Sequence, residues 1–428
     1  MNTFMNPLFD DSLLRLAREH AESIPLADID VSNYHLFAND THWPYFERLR
    51  REAPVHWCRA SHQGAYWSIT RHQDMKDVDT DHARFLADTN ITLFDQADDF
   101  TMPMFIAMDP PTHDAQRMAV APAVAPRNLA KLEDTIRERA GRILDSLPTD
   151  VPFDWVQRVA IELTTQMLAT LFDFPFEDRR KLTYWSDLFS NGTVDGTPIS
   201  REFRRQELLG CLQHFTNVWH EKAAQPPGAD LVSMLAHGES TQSLIERPLE
   251  YLGNIMLLIT GGNDTTRNTI SGGLLALNQY PDEYAKLRAN PSLIPNMVAE
   301  MIRWQTPVAH IRRTALADTE FGGQHIHKGD KVVMWYLSGN RDEAAFEDPH
   351  RLLIDRKNAR QHVSFGYGIH RCMGNRLAEM QLRVLWEEIL PRFHSIEVLE
   401  APVRTRSNLI RGIQAMQVKT HRHAPAQT

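Results

Sequence analysis

A single cysteine stands in a glycine-rich segment directly before a long helix-forming run. The segment, residues 365–374, reads Phe-Gly-Tyr-Gly-Ile-His-Arg-Cys-Met-Gly, and residues 375–390 form the helical run. Cys372 is therefore predicted at a helix N-terminus, where unpaired backbone N–H groups and the helix dipole favour an anionic sulfur. Gly366 and Gly368 allow backbone conformations closed to other residues, which lets the loop approach a flat ligand. Such a thiolate is a suitable ligand for haem iron; the simpler alternative is a buried, inert thiol.

The same ten residues fill every defining position of the haem-binding signature of cytochromes P450, Phe-Gly-x-Gly-x-His-x-Cys-x-Gly, and the chain resembles that family. The resemblance implies a mainly α-helical fold with small β-sheets, in which one domain holds haem b between a long distal helix and the proximal cysteine-loop helix. It also implies that Cys372 is the axial ligand of the haem iron, and that Phe365, His370 and Gly374 contact the cofactor.

Composition and charge favour a cytoplasmic protein without a nucleic-acid or membrane partner. The other two cysteines, Cys58 and Cys211, lie far apart without Cys-x-x-Cys spacing, so disulfides are not predicted and a reducing compartment fits best. The net charge of −9 argues against general nucleic-acid binding, which needs a basic excess. The sequence contains no run of about 18 apolar residues, and no membrane anchor is therefore expected.

Apolar residues recur at helical spacing through most of residues 112–300, and short strand-like runs flank this part of the chain. No Gly/Ser linker or sharp change in composition divides the chain. We therefore expect an N-terminal extension packed on the domain at residues 1–40, a single catalytic domain at 41–420 and a flexible tail at 421–428. The predicted helices are 43–52, 127–147, 155–172, 177–190, 200–224 and 247–279, and the predicted strands are 55–57 and 65–69.

The segment Gly261-Gly262-Asn263-Asp264-Thr265-Thr266 lies between two apolar runs and is locally typical of a turn between helices. Two glycines inside a helix cost about 1 kcal/mol each relative to alanine. The resemblance implies instead a continuous helix across the distal haem face, because the segment is similar to the family motif Ala/Gly-Gly-x-Asp/Glu-Thr. Under this interpretation Gly261 opens a groove for dioxygen, and Asp264 and Thr265 relay protons toward it.

Glu300 and Arg303 lie three residues apart on a predicted helix face, where they can pair. The spacing alone is weak, since it recurs where exposed helical ion pairs are expected, at Glu47/Arg50, Glu177/Arg180 and Glu202/Arg205. Only the pair Glu300/Arg303 lies at the distance before the cysteine loop that is typical of the family's Glu-x-x-Arg motif. Arg356 matches the arginine that completes this motif. The resemblance implies that Glu300, Arg303 and Arg356 are structural residues of a buried charge network.

Haem propionates need cationic partners, and the resemblance implies four. His113 and Arg117 lie four residues apart in residues 109–117, a run similar to the family segment that reaches a propionate. His370 and Arg313 occupy the other usual positions. Arg312 competes with Arg313, since only one of two neighbours on a strand can point inward.

The runs expected to line the distal side are strongly apolar, which suggests an apolar substrate. Residues 104–111, 258–268 and 370–380 are similar to the soluble bacterial P450s that hydroxylate alkanes at the chain end. The resemblance implies insertion of one atom of O2 into the terminal C–H bond of a medium-chain n-alkane, or a related aliphatic chain, to give a primary alcohol. The residues expected to contact the substrate are Leu258, Gly261, Val308, Ile311 and Leu409.

No Gly-x-Gly-x-x-Gly follows a plausible strand, so a nicotinamide or flavin domain is not predicted. Electrons are expected from a separate ferredoxin and its NADH-linked reductase, docked on a local basic patch of Arg371, Arg376, Lys357 and Arg360. Two alternatives stay open: a family member that oxidises a fatty acid, terpene or steroid, and a haem-based gas sensor or carrier. A zinc hydrolase is disfavoured, because the 20 histidines include no His-Glu-x-x-His pattern.

Overall fold

Helices dominate the chain in the computed structural model, which describes residues 11–87, 90–95, 100–190, 193–194 and 197–423. The helices of these residues are α1 (Asp11–Ser23), α2 (Tyr34–Ala38), α3 (Trp43–Glu52), α4 (His72–Thr80), α5 (Thr112–Val120), α6 (Pro126–Asp145), α7 (Ile161–Phe172), α8 (Arg180–Ser190), α9 (Arg201–Ala223), α10 (Leu231–His237), α11 (Pro248–Gln279), α12 (Pro281–Ala289), α13 (Ile294–Gln305), α14 (Tyr336–Gly339) and α15 (Asn375–Arg392).

The strands form one five-stranded sheet and several smaller ones. They are β1 (Val55–Cys58), β2 (Tyr66–Ile69), β3 (Phe85–Leu86), β4 (Phe153–Asp154), β5 (Thr193–Val194), β6 (Thr197–Pro198), β7 (Ile311–Ala315), β8 (Thr319–Phe321), β9 (Gln324–Ile326), β10 (Lys331–Met334), β11 (Phe393–Val398), β12 (Val403–Arg404), β13 (Ile413–Ala415) and β14 (Gln417–Arg422). The large sheet has the order β1-β2-β10-β7-β3, and a three-stranded sheet has the order β11-β14-β4. The predicted mainly helical fold with small sheets is therefore observed.

The 32-residue helix α11 runs without interruption through both central glycines, so the locally favoured turn is not formed. Its flanking apolar residues are buried, among them Ile255, Ile259 and Ile270. An added Cβ at Gly262 would lie 2.8 Å from Leu168 Cδ2 of α7, so the glycine allows the two helices to pack closely. Burial of the apolar faces offsets the glycine cost that the local pattern suggests.

Most predicted helices agree with α3, α6, α8, α9 and α11 to within a few residues. The predicted helix 155–172 begins instead with a π-helical turn, Val156–Ala160, before α7. The short helix α10 was not predicted individually, because seven residues give fewer than two full turns of periodicity.

Two of the expected exposed ion pairs are wrong, because their members find partners on other elements. Arg50 is buried, and it pairs with Glu343 instead of Glu47: Arg50 Nη2 lies 2.8 Å from Glu343 Oε1. Arg180 pairs with Glu162 at 2.8 Å instead of with Glu177. Spacing within one helix cannot reveal such tertiary competition.

The N-terminal helix α1 packs on α3. Arg18 Nη1 lies 2.6 Å from Glu47 Oε2, and Ala21 is fully buried. At the other end of the chain, β14 continues to Arg422, two residues into the segment predicted as a tail. Residues 1–10 and 424–428 lie outside the described residues. The division of the chain at residues 40 and 420 stays a prediction.

Candidate active site

The cysteine loop is a tight turn held by its own backbone. The N–H of Cys372 donates to the carbonyl of Phe365 at 2.7 Å, which closes the loop. Gly366 and Gly368 have φ values of +64° and +66°, in the left-handed region that favours glycine. An added Cβ at Gly368 would lie 2.5 Å from the Asp79 carbonyl oxygen. The two glycines are thus required by conformation and by the close approach of α4.

Cys372 lies at the beginning of α15, for which Gly374 is the N-cap residue. Cys372 has solvent access, yet desolvation by the surrounding protein raises the pKa of its thiol. The N–H groups of Gly374 and Asn375 and the charges of Arg117 and Arg371 act in the opposite direction and lower it. The helix end therefore supplies the predicted stabilisation of the anion, but in the chain alone desolvation outweighs it. Metal coordination removes the proton from a thiol outright.

Asp79 organises the proximal side and was missed by the sequence analysis. Its carboxylate, 2% exposed, accepts hydrogen bonds from Tyr367 N at 2.7 Å and Tyr336 OH at 2.9 Å. The other oxygen accepts from Arg313 Nη2 at 2.7 Å. The sequence did contain one indication of its burial: Asp79 follows the apolar Met75 by four residues, which places it on the buried face of α4.

Four cationic or polar side chains from three elements meet beside the cysteine loop. The rings of His113 and His370 lie 4.3 Å apart, and Arg117 Nη2 donates to the Arg371 carbonyl at 2.5 Å. Burial, followed by the charges of Arg313, His113 and Arg117, lowers the pKa of His370 to about 2. Burial also lowers the pKa of His113, opposed by its bond to Asp114. Both histidines are therefore neutral near pH 7.

The two adjacent arginines of β7 point to different surroundings. Arg313 joins the buried group at Asp79, whereas Arg312 Nη1 lies 2.7 Å from Asp95 Oδ1. This alternation is the expected property of a strand. Of the two candidates, Arg313 is the one whose charge acts on His370.

Within the described residues, three buried ring nitrogens of this group have no hydrogen-bond partner: His113 Nε2 and both nitrogens of His370. Buried polar groups are normally bonded. Together with the guanidinium groups of Arg117 and Arg313, these nitrogens form a cradle suited to a ligand with anionic oxygens.

On the distal helix, Asp264 is fully buried and faces α8. Its Oδ2 accepts from Ser190 Oγ at 2.7 Å, and its Oδ1 accepts from Ser186 Oγ at 3.0 Å and lies 3.1 Å from Arg267 Nη2. Arg267 also contacts Asp187, a residue with partial solvent access. The carboxylates of Asp264 and Asp187 raise the pKa of Arg267 against the effect of burial.

Thr265 occupies a neighbouring face of α11. Its hydroxyl donates to the carbonyl of Gly261 at 2.8 Å, one turn earlier. An added Cβ at Gly261 would meet no heavy atom within 4 Å, which distinguishes this glycine from Gly262. The helix therefore presents open space at Gly261, beside an alcohol that is already hydrogen-bonded to the helix.

Residues 91–94, 308–311 and 408–410 meet at His310, a buried residue that the sequence analysis did not identify. Its Nε2 accepts from Leu93 N at 3.2 Å, and its Nδ1 lies 2.9 Å from the Asn408 carbonyl. Val308 pairs with Ile410, and the N–H of Ala309 donates to the Leu409 carbonyl at 2.8 Å. Four predicted substrate contacts are only partly buried, namely Leu258, Val308, Ile311 and Leu409.

Glu300, Arg303 and Arg356 form one buried cluster behind the cysteine loop. Glu300 Oε1 accepts from Arg303 Nη2 at 2.7 Å and from Arg356 Nε at 3.0 Å. Arg303 Nη1 donates to the carbonyl of Asn340 at 2.6 Å, and Asn340 Oδ1 accepts from Val363 N at 2.8 Å. The cluster therefore connects α13 to the segment that leads into the loop.

Residues 33–409 match the family model for cytochrome P450. The chain belongs to the cytochrome P450 family. It is 36% identical over 406 residues to linalool 8-monooxygenase of Pseudomonas putida, covering 91% of this chain and 98% of that protein. The solved structure of cytochrome P450-153 from Novosphingobium aromaticivorans has 43% identity and a TM-score of 0.85, covering 92% of this chain and 99% of that chain. CYP153D17 from Sphingomonas sp. PAMC 26605 has 46% identity and a TM-score of 0.86 over the same shares.

The comparisons confirm the single-domain P450 fold and identify this P450 as a haem b mono-oxygenase. The residues present fit that cofactor, because the unpartnered imidazoles suit propionate oxygens and the glycine loop presents a thiol. Cys372 would hold the iron, while His113, Arg117, Arg313 and His370 would hold the propionates. Among the described residues, no helix of this P450 is both long and apolar enough to cross a membrane.

Proposed function

We propose that this P450 hydroxylates the terminal methyl group of medium-chain n-alkanes or related aliphatic chains. The balanced reaction consumes one alkane, O2, NADH and H+ and yields one primary alcohol, water and NAD+. The observation that carries the proposal is the similarity of residues 104–111, 258–268 and 370–380 to soluble bacterial alkane hydroxylases. It is accompanied by 43% and 46% identity to cytochrome P450-153 and CYP153D17.

The partly exposed apolar residues support an aliphatic substrate. Val308 and Leu409 lie on paired segments, and Leu258 and Gly261 lie one turn apart on α11. Side chains of this kind bind by shape and dispersion and offer nothing to a charged head group. When bound, the haem supplies the oxygen-activating chemistry, and these residues decide which C–H bond is held nearest to it.

Asp264 and Thr265 are proposed to deliver protons. The Thr265 hydroxyl lies beside the open space at Gly261, where it can donate to a ligand if it leaves the Gly261 carbonyl. Asp264 is held toward α8 by Ser186, Ser190 and Arg267, so it must rotate to serve the same space. Arg267 cannot carry a proton itself and would act by holding the Asp264 carboxylate in place.

A second candidate is oxidation of another apolar chain, such as a terpene, steroid or fatty acid. It is favoured by 36% identity to a linalool 8-monooxygenase and 32% identity to the steroid C26-monooxygenase of Rhodococcus jostii. In the standard numbering of these compounds, carbon 8 of linalool and carbon 26 of a steroid are both methyl carbons at a chain end. The two candidate functions therefore differ more in the carbon skeleton of the substrate than in the type of carbon that is oxidised.

We further propose that a ferredoxin docks beside the cysteine loop, through a patch formed by Lys357, Arg360, Arg371 and Arg376. All four residues are exposed, although Arg360 Nη1 lies 3.1 Å from Glu379 Oε2. An acidic partner would be steered to such a patch despite the net charge of −9. Reduction rates should then fall as salt is added; rates indifferent to ionic strength would reject electrostatic docking.

The test is product analysis by gas chromatography after the haem-loaded protein receives n-octane, a surrogate ferredoxin, its reductase and NADH. The proposal predicts mainly 1-octanol. Linalool and a steroid are supplied in parallel, and faster turnover of either one would favour the second candidate. Internal octanols as the main product would reject terminal selectivity.

Thr265→Ala, measured beside the native protein, tests the proton-delivery role. NADH consumption should continue while octanol formation per NADH falls by about 10-fold or more, as for loss of a positioned proton donor. Unchanged coupling would remove Thr265 from that role.

A further inference from the structure

A group of histidines and carboxylates on the β8–β9 hairpin lies outside the haem site. Asp318, His325 and His327 are exposed, and their nearest ligand atoms all lie within 4.8 Å of one another. Among the described residues, this is the one group of three or more such side chains placed closely enough to hold a metal ion.

The hairpin register explains why these side chains converge. Glu320 pairs directly with His325 across the two strands. Because alternate residues of a strand share a face, Asp318 and Glu320 lie on the same face as His325 and His327. The four side chains form a compact patch at the open end of the hairpin.

The hairpin is fixed against the large sheet. Gly322 and Gly323 form its turn with φ values of +55° and +74°. An added Cβ at Gly322 would lie 2.5 Å from Val55 Cγ2, and the rings of Phe321 and Phe85 are 5.7 Å apart. The patch therefore stands on a packed element with a defined register.

Glu320 gives His325 the orientation of a metal ligand. His325 Nδ1 lies 2.7 Å from Glu320 Oε1, while His325 Nε2 lies 3.9 Å from Asp318 Oδ2. On the other side, His327 Nδ1 lies 3.8 Å from Asp318 Oδ1. A carboxylate on the far nitrogen of a ligating histidine is the usual arrangement at zinc sites.

We propose that this patch binds one divalent transition-metal ion of the zinc type through His325 Nε2, His327 Nδ1 and the Asp318 carboxylate. Bonds of about 2.0–2.1 Å to a tetrahedral ion place ligand atoms about 3.4 Å apart. The two histidine–Asp318 separations of 3.9 and 3.8 Å exceed that value by a few tenths of an ångström, and all three ligand atoms already lie within 4.8 Å of one another. Water fills the fourth position. Glu320 is a positioning residue and does not touch the ion.

The test is calorimetric titration of the haem-loaded protein with Zn2+, with the haem absorption spectrum recorded to verify the fold. The expected result is one equivalent bound, with affinity at least tenfold weaker in both His325→Ala and His327→Ala. Glu320→Gln should weaken binding by about tenfold, as for other outer-shell partners of metal ligands. Zn2+ should also raise the Tm of the native protein but not that of the double variant.

His394→Ala is the matched control, since His394 is an exposed histidine of β11, on another sheet, and its ring lies 6.0 Å from that of His423. It should leave the affinity unchanged. Failure to bind one equivalent, or equal affinity in the native protein and the His325→Ala/His327→Ala double variant, would overturn the site. An unchanged affinity in Glu320→Gln would overturn the positioning role.

Discussion

The two sides of the cofactor site are held by different forces. On the proximal side, the cysteine loop is fixed by buried polar groups, with Asp79 and Asn340 each accepting or donating several hydrogen bonds. On the distal side, the predicted substrate contacts are apolar and only partly buried, as at Val308 and Leu409. A hydrogen-bond network requires particular residue types, whereas apolar contacts require only suitable volume. We therefore propose that the proximal side controls retention of the haem, whereas the apolar residues of the distal side select the substrate.

The largest expected effect comes from breaking the proximal charge cluster. Glu300→Met leaves Arg303 and Arg356 buried without their carboxylate, and it should lower the free energy of unfolding by about 3–5 kcal/mol. Chemical denaturation measures this loss. The control is Glu47→Gln, at a surface pair with Arg18, where less than about 1 kcal/mol is expected. Equal losses in the two variants would contradict the account.

His310 is a buried polar anchor on the otherwise apolar distal side. Burial lowers the pKa of His310 to about 4, below the ordinary 6.5. The neutral ring therefore contributes stability that is fully present above pH 6.5 and lost as the pH falls toward 4. The difference corresponds to about 3 kcal/mol. His310→Gln should show a smaller loss of unfolding free energy between pH 6.5 and 4 than the native protein, and parallel curves would contradict this assignment.

Asp79→Asn tests the proximal anchor of the loop. The amide places N–H donors where Arg313 or Tyr367 now donates, so a loss of about 1–3 kcal/mol in unfolding free energy is expected, together with weaker haem retention. Haem transfer to an apo-haem acceptor protein measures retention. Asp81→Asn is the control, since Asp81 pairs with the half-exposed Arg84 near the same helix. Matched haem loss in both variants would remove Asp79 from this role.

The smallest effect on stability and the most specific effect on products are expected from the distal variants. Val308→Ala or Leu258→Ala widens the proposed channel and should raise the share of internal octanols several-fold, as about 1 kcal/mol of lost discrimination would do. Val403→Ala, at an exposed residue, is the control. Unchanged regiochemistry in both distal variants would remove these residues from the channel wall.

The sequence predicted much of this arrangement, but not all of it. The signature around Cys372 was accessible, because it is a short pattern of obligatory residue types. The Glu300 cluster was accessible only through the family resemblance, because its Glu-x-x-Arg spacing recurs elsewhere in the chain. Asp79 and His310 were not identified, since their partners lie far away in the chain, at Arg313 and Leu93. The choice between Arg312 and Arg313 also needed the structure, because a strand's alternation fixes opposite faces without saying which one is inward.

One paired measurement can separate control of haem retention by the proximal side from control of regiochemistry by the distal side. Asp79→Asn and Val308→Ala are compared for haem retention and for the ratio of 1-octanol to internal octanols formed per bound haem. Asp79→Asn is expected to lose haem faster with an unchanged product ratio, while Val308→Ala is expected to change the ratio and retain haem normally. A changed ratio in Asp79→Asn, with no change in Val308→Ala, would contradict this separation.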